Sequence, residues 1–77
     1  MAMLRANSPI PLYVQLYNQL RNAIDEGSFQ TGKQIPSERR LAAEYGISRL
    51  TARKALSRLR EEGYVSAHQG KGSFVTT

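Results

Sequence analysis

Cysteine and tryptophan are absent from the 77-residue sequence, and histidine occurs once. Without thiols, no disulfide can staple the fold and no thiolate can hold a metal. The one histidine, His68, has no second imidazole or thiol to share a metal or complete an acid–base pair, so no metal and no cofactor are expected. Acidic residues number six against eleven Lys and Arg, and the few carboxylates suggest no catalytic pair. An enzyme is therefore the least supported reading. Long apolar runs are missing too. No segment approaches the roughly 18 apolar residues of a membrane span, and Met1–Pro9 lacks the apolar core of a signal peptide. The expectation is a soluble protein of a reducing, cytoplasmic compartment.

What is present is charge of one sign, unevenly spread. Net charge is +5, with a pI near 10.1. Between Arg39 and Arg60 lie seven cations (Arg39, Arg40, Arg49, Arg53, Lys54, Arg58, Arg60) against one acid, Glu44. A basic cluster of this density suits a polyanion, whereas scattered Lys and Arg usually mark only a solvated helix face. Which of the two applies depends on the element that carries the charge.

That element is a helix expected over 49–62. Ser48 stands where a cap can accept from an orphaned backbone N–H, and Gly63 where a helix can end in a left-handed residue. On a wheel of about 100° per residue, Ala52, Ala55, Leu56 and Leu59 form one apolar stripe. Arg49, Leu50, Arg53, Lys54 and Ser57 are expected on the other side. Guanidinium forks and one exposed aliphatic are what a helix needs to read guanine edges and a thymine methyl in a major groove. Upstream, residues 36–45 read as a shorter helix capped by Ser37, with Leu41, Ala42 and Tyr45 as its stripe. Only Gly46 and Ile47 separate it from the Ser48 cap, the spacing of a helix-turn-helix.

The remaining segments complete a small α+β domain. Residues 1–8 are expected as a flexible amino-terminal tail and 9–77 as the folded domain. Pro11 is placed for the first turn of a helix over 12–26, whose inner side is Leu12, Tyr13, Leu16, Tyr17, Leu20, Ala23 and Ile24. The tyrosines on this stripe read as core packing and not as a base-stacking platform. Residues 28–35 form a connector in which Phe29 and Ile35 plug the core and Gln34–Ile35 could add a short edge strand. Residues 64–67 and 73–76 pair as a hairpin around His68-Gln69-Gly70-Lys71-Gly72. The glycines there allow close backbone approach, but no helix follows, so this is not a phosphate-binding P-loop. The architecture is a winged helix-turn-helix: three helices, then a two-stranded wing over 64–76.

Several motifs recur together: Pro11-Leu12-Tyr13, Ile35-Pro36-Ser37-Glu38-Arg39, Gly46-Ile47-Ser48-Arg49-Leu50-Thr51-Ala52-Arg53, Glu62-Gly63-Tyr64 and Gly70-Lys71-Gly72-Ser73-Phe74-Val75. From Ser8 to Val75 the chain resembles the amino-terminal domain of GntR-type bacterial transcription regulators, most nearly their HutC-like branch. The resemblance implies sequence-specific binding of double-stranded DNA. By position, it implies that Arg39 clamps DNA, Arg49 and Arg53 contact bases, and Ser48 and Thr51 contact phosphates. Gly70 then meets the minor groove, with Gln69 and Lys71 beside it, while Leu50 sits on the exposed recognition face. Ala52 departs from the larger aliphatics common at its position. The resemblance further implies a homodimer on a roughly palindromic operator. It also implies a missing carboxy-terminal domain that takes a small-molecule effector, so this chain is expected to be one part of a repressor. RNA-binding and protein-interaction winged helices remain alternatives. The first would prefer single strands or hairpins, and the second would not need arginines on the recognition face.

Overall fold

The computed structural model describes residues 4–76. Its elements run α1 (Leu12–Asp25), β1 (Gln34–Ile35), α2 (Glu38–Tyr45), α3 (Arg49–Glu61), β2 (Val65–His68) and β3 (Gly72–Val75). The strands form one antiparallel sheet in the order β1-β3-β2. This is the winged helix-turn-helix expected from the sequence, with β1 adding a third strand to the hairpin.

The helices start where their caps allow. Ser37 Oγ accepts from the Arg40 N–H at 3.1 Å, and Ser48 Oγ from the Thr51 N–H at 3.0 Å. Removing such a cap typically costs about 1 kcal/mol. Pro11 does not enter the first turn of α1. It occupies the cap position in extended conformation, and its carbonyl accepts from the N–H groups of Val14 and Gln15. Gly46 ends α2 at φ +66°, and three residues separate α2 from α3. Few side chains tolerate that left-handed turn, which redirects the chain so sharply that Ile47 packs against the core.

Leu16, Tyr17, Leu20 and Ile24 of α1 meet Leu41 of α2 and Ala52, Ala55, Leu56 and Leu59 of α3 in one buried cluster. Small Ala52 and Ala55 at this contact let α3 approach its neighbours closely, as ridge-into-groove packing favours. Ile35, Val65 and Val75 close the cluster from the sheet. Their side follows from the register, in which Val65 pairs with Val75 and Ile35 with Ser73. Alternation then puts Gln34, Ser66, His68 and Phe74 on the opposite face. There His68 meets the Phe74 ring edge-on, with centroids 5.1 Å apart, and shares a hydrogen bond with Ser66 Oγ. His68 is thus a wing-stem residue. Phe29, Tyr45 and Tyr64 pack around the cluster half-buried.

A polar seam joins α1 to the end of α3. The Tyr17 hydroxyl donates to Glu62, and the Arg58 guanidinium lies 4.1 Å over the Tyr17 ring while pairing with Glu62 at 3.3 Å. Of the stretch expected as a tail, residues 1–3 lie outside the described residues, and so does Thr77 at the other end. Residues 4–8 return to α1. Gln15 accepts from the Arg5 N–H at 2.8 Å and donates to the carbonyls of Arg5 and Ile10, and Leu4 packs on the core.

One glycine fixes the wing. Gly72 sits at φ +108°, and the side-chain amide of Gln34 crosses the position a Cβ would fill. That amide donates to the Lys71 carbonyl at 2.7 Å. Gly72→Ala should therefore lower stability by about 1 kcal/mol or more, since alanine is strained at positive φ. It should also break the Gln34 tether. The checks are the melting temperature and the exchange rate of the Lys71 N–H, which bonds the His68 carbonyl at 2.9 Å.

Candidate nucleic-acid interface

Arg49 opens α3 and Arg53 follows one turn later, so both project from the amino-terminal half of the helix. The sequence wheel places them away from the apolar stripe, but Arg49 stands only about 60° from Ala52 at 100° per residue. The structure accordingly puts the two on the edge of α3 beside α2 and not on its open back. What receives them there is Glu38, the first residue of α2. Arg53 makes a two-point fork, Nε to Oε2 at 3.0 Å and Nη2 to Oε1 at 2.9 Å. Arg49 Nη2 shares the same Oε1 at 3.0 Å. Their side chains nevertheless stay 62% (Arg49) and 58% (Arg53) exposed, while that of Glu38 is 22% exposed.

Glu38 was not singled out as a functional position by sequence reasoning. The signal was present in the Pro-Ser-Glu-Arg motif, where a lone acid precedes two arginines. Its carboxyl is held below its ordinary 4.5, chiefly by the Arg53 hydrogen bonds and against a desolvation penalty. The same pair raises Arg53 further. Glu62 is likewise held low, first by the Tyr17 hydroxyl and then by Arg58. Groups with depressed folded values add stability that is complete above the unfolded value and lost as pH falls through the folded one. The melting temperature should thus hold level from neutral pH down to about pH 5.5 and drop below about 4.5. Tyr17 behaves oppositely. Its hydroxyl is pushed above 10.0 by Glu62 and by burial, so its contribution fades as pH climbs above that value. A thermal melt series across pH checks both limbs.

The other expected contact residues lie on α2, at the start of α3 and between β2 and β3. Ser48 Oγ and Thr51 Oγ1 lie 2.8 Å apart, with Ser48 also capping the helix. If Thr51 donates to Ser48, the Ser48 proton stays available to an incoming oxygen. Leu50 is 57% exposed. Arg39 is exposed beside Glu38, and so are Gln69, Gly70 and Lys71 at the wing tip. A shallow cleft of about 230 Å³ runs between the start of α2, Arg53 and Arg60 of α3, and Ala67, Gly72 and Ser73 of the wing. The helix edge and the wing thus border one surface. Lys54 points elsewhere, lying 5.8 Å from the Tyr13 ring centroid. Among the described residues no group of His, Cys, Asp and Glu could hold a metal, and no helix is long and apolar enough to cross a membrane.

Comparison with known proteins places this arrangement. The sequence pattern of the family described as bacterial regulatory proteins, gntR family, matches residues 12–75. The HTH-type transcriptional repressor NagR of Bacillus subtilis (strain 168) is 46% identical over 69 residues, 90% of this chain and 28% of NagR. The chain therefore spans little more than a quarter of that relative. A transcriptional antiterminator from Listeria monocytogenes EGD-e superposes with a TM-score of 0.92 at 27% identity, covering 100% of this chain and 57% of that one. AraR(DBD), solved in complex with operator ORR3, superposes with a TM-score of 0.85 at 32% identity over 99% of this chain and 92% of its own. The matched stretch begins with α1, takes in the helix-turn-helix, and ends with the last strand of the wing. By the match over residues 12–75 and the identity to NagR, the chain belongs to the gntR family of bacterial regulatory proteins.

Proposed function

We propose that this chain binds double-stranded DNA sequence-specifically, as the DNA-binding part of a metabolite-responsive bacterial transcription repressor of the HutC-like branch. The observation that carries the reading is the exposed Arg49–Arg53 edge at the amino-terminal half of α3, bordered by the wing. A recognition helix presents its first turns to base edges, and two guanidinium groups there can read guanine O6 and N7. Leu50 supplies an apolar surface for a thymine methyl. Ser48 and Thr51, at the positive end of the helix, take backbone phosphates. Arg39 clamps from α2, and Gln69, Gly70 and Lys71 enter the adjacent minor groove. The likeness to AraR(DBD), which was solved with an operator, supports this placement.

The full regulator acts in the cytoplasm as a homodimer on a roughly palindromic operator. Its effector binds a further domain outside this chain, in keeping with the small share of NagR covered here. The test is selection of bound duplexes from a random pool at two salt concentrations. The reading expects a defined half-site to emerge at both, with affinity falling steeply as salt rises. Equal retention of all sequences, or preference for RNA hairpins, would remove it. Within the same assay, Lys71→Ala should weaken every duplex about equally and flatten the salt slope by about one unit.

A further inference from the structure

Glu38 presents an apparent contradiction. A carboxylate beside a DNA-reading surface repels phosphate, and this one occupies both arginines proposed to read bases. The geometry resolves it. A guanidinium has a side edge, formed by Nε and Nη2, and an end edge, formed by Nη1 and Nη2. Arg53 meets Glu38 through the side edge alone, Nε to Oε2 and Nη2 to Oε1. Its end edge is left over, and that edge matches the O6 and N7 acceptors of guanine. Arg49 commits only Nη2, to the oxygen Arg53 already uses, so its Nε and Nη1 protons remain. Glu38 itself is well fixed. It is the first residue of α2, next to the Ser37 cap, and its carboxylate is mostly buried between the helices.

We infer that Glu38 is a positioning residue for base recognition: it holds Arg53, and with it Arg49, in the orientation that presents the end edge to guanine. The inference rests on the proposed DNA-binding reading and adds a source of specificity to it. An unrestrained arginine can swing to the nearest phosphate, which binds any sequence; one held by a carboxylate cannot do so without losing its partner. Fixing the fork in advance also lowers the ordering cost at the correct base. The negative charge meanwhile subtracts from attraction to the backbone everywhere. Glu38 therefore strengthens the specific complex relative to the non-specific one.

The experiment compares the native chain with Glu38→Gln and Glu38→Asp on two probes. One is the duplex that the native chain selects from a random pool; the other is a scrambled duplex of equal length and composition. Each guanine of the selected duplex is also replaced in turn by 7-deazaguanine, which lacks the N7 acceptor. The native chain should lose about tenfold or more in affinity when the guanine it reads is replaced. In Glu38→Gln that penalty should shrink to less than about threefold, while binding to the scrambled duplex tightens and its salt slope steepens by up to about one unit. Glu38→Asp keeps the charge on a shorter arm. It should lose the guanine penalty without gaining scrambled-duplex affinity. Circular dichroism confirms that each variant is folded, and the ratios compare probes within one variant, so a general loss of active protein cancels.

An undiminished 7-deazaguanine penalty in both variants would overturn the inference. So would Glu38→Gln binding both duplexes more tightly by one common factor, since the carboxylate would then only compete with DNA for the arginines. A native chain that selects no duplex, or shows no penalty at any guanine, would instead count against base reading itself.

Discussion

Leu59→Ala should leave much of the chain unfolded near 37 °C. Leu59 is fully buried on α3, in the cluster where that helix meets α1 and α2. Truncating such a leucine removes about 2–5 kcal/mol, the loss of transfer energy plus the cavity left behind. A single core in a chain below about 80 residues supplies only about 3–5 kcal/mol in all. The first figure is comparable to the second, so one side chain decides whether the domain stands. No disulfide can compensate, because there is no cysteine. Leu50→Ala, nine residues earlier on the exposed face, should shift stability by no more than about 0.5 kcal/mol. Thermal melts followed by circular dichroism test the contrast. Similar melting curves for the two variants would mean that α3 does not bury the side assigned to it.

Arg53→Ala carries the largest expected effect on binding. Removing one good bidentate base contact costs about 1–3 kcal/mol, which is about 5- to 150-fold in affinity for the selected duplex. A scrambled duplex should lose much less, because only a general electrostatic contact disappears. Arg49→Ala should follow the same pattern at a second base position. The folded state should tolerate both changes. Each arginine is more than half exposed, and pairs of this kind contribute about 0–1 kcal/mol. Lys33→Ala, in the exposed connector, supplies the control for charge alone. Fluorescence anisotropy on both duplexes separates the outcomes: equal loss on selected and scrambled sequences would assign Arg53 to phosphate and not to bases.

Local chemistry explains what could be read in advance. Ser37 and Ser48 cap their helices as expected because a cap depends on three or four consecutive residues. The apolar stripe of α3 was legible because Ala52, Ala55, Leu56 and Leu59 repeat at helical spacing, and all four are buried. The short strand Gln34–Ile35 was expected at the end of the connector, and the boundaries of the wing shifted by only one residue. Contacts between distant parts of the chain were not legible. A wheel gives the angle of Arg49 about its own helix but does not say which neighbour stands at that angle. The Glu38 bridges to Arg49 and Arg53 span 11 and 15 residues. The hydrogen bond that ties Gln34 to the wing spans 37. The return of residues 4–8 to α1 rests on Gln15 bonding to backbone groups, an interaction with no periodic trace in sequence.

If the proposed function holds, the Arg49–Arg53 edge of α3 and the glycine-tipped wing form one DNA-facing surface. Nuclear magnetic resonance titration of the labelled chain with its selected duplex tests this most directly. Backbone amides of residues 48–54 and 69–72, together with the Nε–H signals of Arg49 and Arg53, should shift together and saturate at one stoichiometry. Shifts confined to the seam of Tyr17, Arg58 and Glu62, with the Arg49 and Arg53 signals unmoved, would contradict it.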